Sequence, residues 1–161
     1  MLFVLEKNFK GSIQIKTINY TKKNTQLFDF QYNKINSSNY SEPKKYIYEP
    51  NSAILKSGGF HEISNQLNVE KLHPHSHLYT SNTLIEFPGR TFLIENSCQY
   101  NKKEIKKYLK ENKANITTRN FPETVSQIRK KTKIKDGGSQ YLFFTTLKNE
   151  NLKVLICSQV F

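Results

Sequence analysis

Between Phe87 and Phe161 the chain changes its hydrophobic period in a fixed order, and that order leaves few folds open. TFLIENS and ANITTR are short extended runs, each followed by a stretch with apolar residues at helical spacing. YLFFTTL and LKVLICSQV then stand on either side of the polar turn KNEN. Strand, helix, strand, helix and a closing hairpin, βαβαββ, predict an α+β unit whose sheet carries its helices on one face. Asn101 and Glu104 read as an N-cap with its capping-box partner, opening a helix expected over Asn101–Asn112 with Ile105, Tyr108 and Leu109 on its apolar side. Pro122 suits the first turn of the second helix, which carries Val125, Ile128 and Thr132.

Two smaller regions precede this unit. In residues 1–43, LFVLE and the alternations Ile13, Ile15, Thr17 and Phe28, Phe30, Tyr32 predict strands, and KINSSNYSEPKK reads as a linker. In residues 44–86, YIYE ends at Pro50 and Asn51 caps a short helix through Ala53, Ile54 and Leu55. Gly58 and Gly59 stop it before a second helix with Phe60, Ile63 and Leu67, and HSHLYT is expected to be extended. Strand, two helices and strand make too small a unit to stand alone, so it should pack on a neighbour.

The chain has a net charge of +12, and +9 of it falls between Asn101 and Lys135, where twelve basic residues face three acidic ones. On the expected first helix, Lys102, Lys103, Lys106, Lys107, Lys110 and Lys113 fall on one arc with Glu104 and Glu111 beyond it. An evenly solvated helix more often intersperses Glu and Lys at i, i+4. Sorted charge of this kind attracts polyanions, since each phosphate neutralised releases condensed counterions. Nucleic acid is therefore the first partner considered, with Arg129, Lys130, Lys131 and Lys133 adding a second basic run. Arg119 in TTRNFP is the best single candidate for an oriented, bidentate phosphate contact, and Arg90 in FPGR is a weaker one. The plain alternatives are a solvated lysine surface and arginines that hold turns. Tyr46, Tyr48, Tyr79 and Phe60 could stack on unpaired bases, although core packing accounts for them as well.

YIYEPNSAILKSGGF, LHPHSHLYTS, FPGRTFLIE, KANITTRNFP and KDGGSQYLFFTT, in this order, resemble the C-terminal half of a family of bacterial class I S-adenosylmethionine-dependent methyltransferases. In that family a small ferredoxin-like segment and a THUMP-like domain follow the catalytic domain. The resemblance covers Tyr46 to Phe161 well and Leu2 to Ser41 loosely. It implies a ferredoxin-like segment over 44–86, a THUMP-like domain over 87–161, and strands before them in which Leu2, Phe3, Val4 and Leu5 end a catalytic domain that this chain lacks. THUMP-type domains are associated with structured RNA, so the implied role is to hold tRNA or rRNA for a methyltransferase domain, in cis or on a separate chain. S-adenosylmethionine is expected in a full-length protein and not in this chain. A stand-alone RNA- or ribosome-associated protein and a basic module that docks an acidic protein are the competing readings.

Other chemistries find little support. None of the six glycines forms the Gly-rich strand-to-helix turn of a nucleotide-cofactor site, there is no GxSxG elbow, and the thirteen acidic residues show no cluster suited to a metal-dependent nuclease. No catalytic residue is assigned. His73, His75 and His77 alternate in HPHSH, so an extended segment would put His75 and His77 on one face, yet no further ligand accompanies them and no metal is expected. In the resembling family that segment is a structural joint. Cys98 and Cys157 lie outside any CxxC motif and, with no membrane span or secretion signal in the sequence, suit a cytoplasmic protein.

Overall fold

The computed structural model describes residues 4–32 and 37–160. A hairpin of β1 (Gln14–Tyr20) and β2 (Thr25–Gln31) comes first, then β3 (Tyr46–Pro50), α1 (Ser52–Ser57), α2 (Phe60–Leu67), β4 (Glu70–Lys71) and β5 (Tyr79–Ser81). The expected βαβαββ order follows as β6 (Gly89–Gln99), α3 (Lys102–Tyr108), β7 (Asn115–Arg119), α4 (Val125–Thr132), β8 (Gln140–Thr146) and β9 (Leu152–Gln159). The fold is α+β.

All strands after the first hairpin share one seven-stranded sheet, ordered β4-β5-β3-β6-β9-β8-β7. The two units are therefore continuous through the antiparallel β3–β6 pair, in which Glu49 lies opposite Arg90 and Pro50 opposite Gly89. A side chain at Gly89 would put its Cβ 2.1 Å from the Glu49 carbonyl oxygen, so this close approach of two backbones requires glycine. Among the described strands, β7 and β8 alone pair in parallel.

Both faces of the sheet are covered, which explains why VLIC and LFF are unbroken apolar runs rather than alternating ones. Leu142, Phe144, Val154 and Ile156 pack with Ile105 of α3 and Ile128 of α4 on one face. Phe143, Leu155 and Cys157 turn to the other and meet Ile47, Leu72, Leu78 and Phe92. Each such aliphatic or Phe side chain contributes roughly 1.5–3 kcal/mol by burial. A third cluster joins Phe28 and Phe30 of the first hairpin to Tyr48, Ile54, Ile63 and Tyr79. The hairpin thus rests on the 46–88 region, while Ile18, Tyr20 and Leu27 on its outer face stay exposed.

Several expectations change. Val4–Glu6 of LFVLE form no strand, and Val4 and Leu5 are exposed; Leu2 and Phe3 lie outside the described residues. Of KINSSNYSEPKK, the part from Ser37 on is more than a linker: Tyr40 bridges Lys71, and Lys71 N–H donates to Asn39 O at 2.8 Å, so it extends the β4 edge. His73–Ser76 form a turn and His77 has φ 49°, so only Tyr79–Ser81 of HSHLYT is a strand. Pro122 stands before α4, whose N-cap is Thr124 in a complete capping box with Gln127.

Candidate nucleic-acid interface

The basic helix starts as its sequence indicates and stops early. Asn101 accepts from the backbone N–H groups of Lys103 and Glu104, but the Glu104 carboxylate turns to Lys107 Nζ, 2.6 Å away, and the reciprocal half of a capping box is absent. The helix ends at Tyr108 because the buried Gln140 side chain takes its last backbone groups. Its Nε2 donates to Tyr108 O at 3.0 Å and its Oε1 accepts from Lys110 N at 2.7 Å. Lys110 and Lys113 therefore leave the helical arc on which the sequence pattern placed them.

Acidic partners divide the twelve cations in two. Lys107 pairs with Glu104, Lys110 with Glu95 at 3.4 Å, Lys113 with Glu111 at 3.0 Å, Lys131 with Glu123 at 2.6 Å, Arg129 with Asp136, and Arg119 with Glu49. The Glu104 hydrogen bond raises the Lys107 pKa, and hydrogen bonds from Lys131 and Tyr100 lower that of Glu123. Lys102, Lys103, Lys106, Lys130, Lys133 and Lys135 are exposed and have no ion-pair partner among the described residues. They lie on α3, on α4 and on the turn after it, two elements whose apolar sides cover the same sheet face. Their ammonium groups remain available to phosphate, whereas a paired lysine must first give up its carboxylate.

The arginines are committed to the protein. Glu49, with a side chain only 4% exposed, accepts from Arg90 Nε at 2.7 Å and from Arg90 Nη2 at the same oxygen, Oε2. Arg119 Nη2 lies 2.5 Å from Oε1, a charge contact without the angles of a hydrogen bond, and its Nη1 donates to Thr118 O. The fork expected to hold phosphate is thus turned to a carboxylate on the face opposite the helices. Arg129 is tied similarly: Nη1 donates to Ile134 O, and Nη2 to Ala114 O and Asp136. Glu49 is the residue the sequence reading missed. Its only sequence signal was a carboxylate in an apolar strand, YIYEP.

Tyr48, Tyr79, Phe60 and His77 are held within the protein. Tyr48 and Tyr79 are buried and donate to Thr83 O and Phe60 O, which removes them from any stacking surface. Phe60 is covered by the His77 ring, with centroids 3.7 Å apart. Burial first, then the Lys71 charge, pushes the His77 pKa down to about 4. Burial also lowers Lys71 to about 8, where its Nζ donates to Pro74 O. No three His, Cys, Asp or Glu among the described residues are grouped to hold a metal, and no helix is long and apolar enough to cross a membrane.

Comparison with known proteins agrees with this architecture. Residues 46–88 match a family model described as a ferredoxin-like domain, and residues 89–159 match one described as THUMP domain-like. No curated protein matches the chain. A solved structure, described as a "putative methyltransferase" from Porphyromonas gingivalis W83, is 32% identical and superposes with a TM-score of 0.82 over 92% of this chain. This chain spans 38% of that one. The boundary between the two models coincides with the β3–β6 pairing, where Glu49 on one side meets Arg90 and Arg119 on the other. Residues 46–159 are thus a ferredoxin-like domain followed by a THUMP-like domain, similar in fold to part of a chain described as a "putative methyltransferase".

Proposed function

We propose that this chain is the RNA-holding region of an S-adenosylmethionine-dependent methyltransferase, and that Lys102, Lys103, Lys106, Lys130, Lys133 and Lys135 track the phosphate backbone of a structured RNA such as tRNA or rRNA. The observation that carries the reading is the survival of six exposed lysines on α3, α4 and the turn after it, without ion-pair partners among the described residues, although both arginines in that stretch are paired internally. Such contacts give affinity and register more than base choice. The THUMP-like match and the similarity to a methyltransferase chain support the same role.

Methyl transfer belongs, in this reading, to a domain beyond these residues. S-adenosylmethionine does not fit the glycines described: Gly58–Gly59 separate two helices and Gly137–Gly138 precede β8, so neither pair forms a strand-to-helix turn.

Filter binding of a structured RNA at several salt concentrations tests the proposal. Affinity should fall steeply with salt, each phosphate contact adding roughly 0.7–0.9 to the logarithmic slope. Lys106→Glu with Lys130→Glu should weaken all RNAs alike and flatten the slope without shifting the melting temperature. An unchanged slope in the folded double variant would reduce these lysines to a solvated surface.

A further inference from the structure

We propose that the cleft between the His73–His75 turn and the ends of β7 and β8 receives one unpaired guanine; this rests on the RNA-holding role above. The cleft has a volume of about 670 Å³ and is shared by the two domains, with His73 and His75 from one, and Asn120, Phe121, Thr146 and Glu150 from the other. It opens at the carboxyl ends of the sheet's one parallel pair, since β7 ends at Arg119 and β8 at Thr146. Domain boundaries and such strand ends are where ligand clefts most often form.

Its polar groups are joined by hydrogen bonds, from the buried His73 out to Glu150 at the rim, whose side chain is 77% exposed. Nδ1 of the buried His73 faces two donors, the His75 backbone N–H at 3.0 Å and the Asn120 amide at 2.9 Å. This assigns the ring proton to Nε2, which lies 3.2 Å from Glu150 Oε1 and donates to it. With its NH2 donated to His73, Asn120 keeps Oδ1 without a hydrogen bond among the described residues, and Glu150 keeps Oε2 and a second lone pair on Oε1. Thr146 donates to the Asn120 carbonyl and fixes the loop. Asn120 and Glu150 both have positive φ, 51° and 62°. For Glu this conformation is uncommon, and backbone strain of this kind concentrates where a side chain must be aimed.

The cleft therefore offers acceptors, a carboxylate among them, beside a partly exposed aromatic ring. Phe121 is held by edge contacts with Tyr100 and Phe144, at 5.1 and 5.5 Å, so a stacking base meets a ring already in place. On its Watson–Crick edge only guanine has two adjacent donors, N1–H and the N2 amine, which match the two acceptor positions of a carboxylate. Adenine and cytosine place a ring acceptor beside their amine, and uracil flanks its single N–H with carbonyls, so a carboxylate repels part of each edge. Glu150, oriented by His73, is the specificity-determining residue, and His73 is a positioning residue.

Two measurements separate this site from the lysine surface. In the first, guanosine and adenosine are titrated against the chain by saturation-transfer NMR, which needs no phosphate contact. Guanosine should show saturable contact that Glu150→Gln and Phe121→Ala each remove, and adenosine should show at least about tenfold weaker contact, given the usual worth of a bidentate base contact. In the second, heptamers of uridine with one central guanosine, inosine or adenosine are compared by anisotropy. Guanosine should bind best, inosine, lacking the N2 amine, less well, and Glu150→Gln should level the three without changing the salt slope. Equal contact by both nucleosides, or a guanosine signal unchanged in folded Glu150→Gln, overturns the cleft assignment. A steep salt slope without nucleoside discrimination refutes the cleft and leaves the lysine surface standing; discrimination with a flat slope does the reverse.

Discussion

Glu49→Gln isolates the joint between the two domains. Gln keeps the size of the side chain and one acceptor oxygen, so no cavity opens; what it removes is the charge that Arg90 and Arg119 share. Breaking a buried pair typically costs about 3–5 kcal/mol, because the remaining charge is stranded. Here the two arginine side chains are 45% and 37% exposed and can rehydrate, which lowers the expected loss to about 2–3 kcal/mol. For a chain of this size each kcal/mol moves the melting temperature by about 2–4 °C, so the variant should melt about 5–10 °C lower. Since Glu49 is shielded from solvent, most of that difference should persist in 0.5 M salt, which erases exposed pairs such as Lys107–Glu104. Thermal melts by circular dichroism at both salt concentrations make the measurement. A shift below about 2 °C, a fraction of the loss argued from burial, would refute the claim that this carboxylate ties the domains together. Arg119→Ala adds a control: if it lowers RNA affinity while the protein melts as the wild type does, the guanidinium serves RNA and not Glu49.

Gln140→Leu should strand the Tyr108 carbonyl and the Lys110 N–H and cost about 1–3 kcal/mol, seen as a lower melting temperature and faster amide exchange at the end of α3. Gly89→Ala should be far worse than Gly137→Ala, because its Cβ meets backbone at 2.1 Å whereas at Gly137 nothing lies within 4 Å and only the φ of 92° is strained; the two melting temperatures decide it. His77 has a folded pKa of about 4 against 6.5 unfolded, so the unfolded chain binds more protons between those values and stability should fall as pH drops from 6.5 toward 4. Between pH 6.5 and 5 the loss should be about 1 kcal/mol after allowance for the ring's partial exposure, and a folded His77→Phe variant that keeps the same slope would contradict the assignment.

Element order was legible in the chain because it depends on local periodicity. Asn51 and Asn101 cap helices in the structure, Gly58 turns into the left-handed region after α1, and the β6-to-β9 order follows the pattern of apolar residues. The limits of α3 were not legible, since they depend on Gln140, thirty-two residues beyond Tyr108 and brought to it by the β7–β8 pairing. HPHSH shows the same limitation: alternation in sequence suggested a strand, but Leu72 and Leu78 pack under the sheet and pull the residues between them into a turn.

Charge was readable as a quantity and not as an arrangement. The concentration of lysine between Asn101 and Lys135 is a property of the sequence, as are the βαβαββ order and the caps. Which lysines remain unpaired, and that Arg119 and Arg129 turn inward, was decided by where the fold delivers Glu49, Glu95, Glu123 and Asp136. Helix and strand periods are set by neighbours a few residues apart, whereas an ion pair forms between whichever charges the packed sheet brings within about 4 Å, at any separation along the chain.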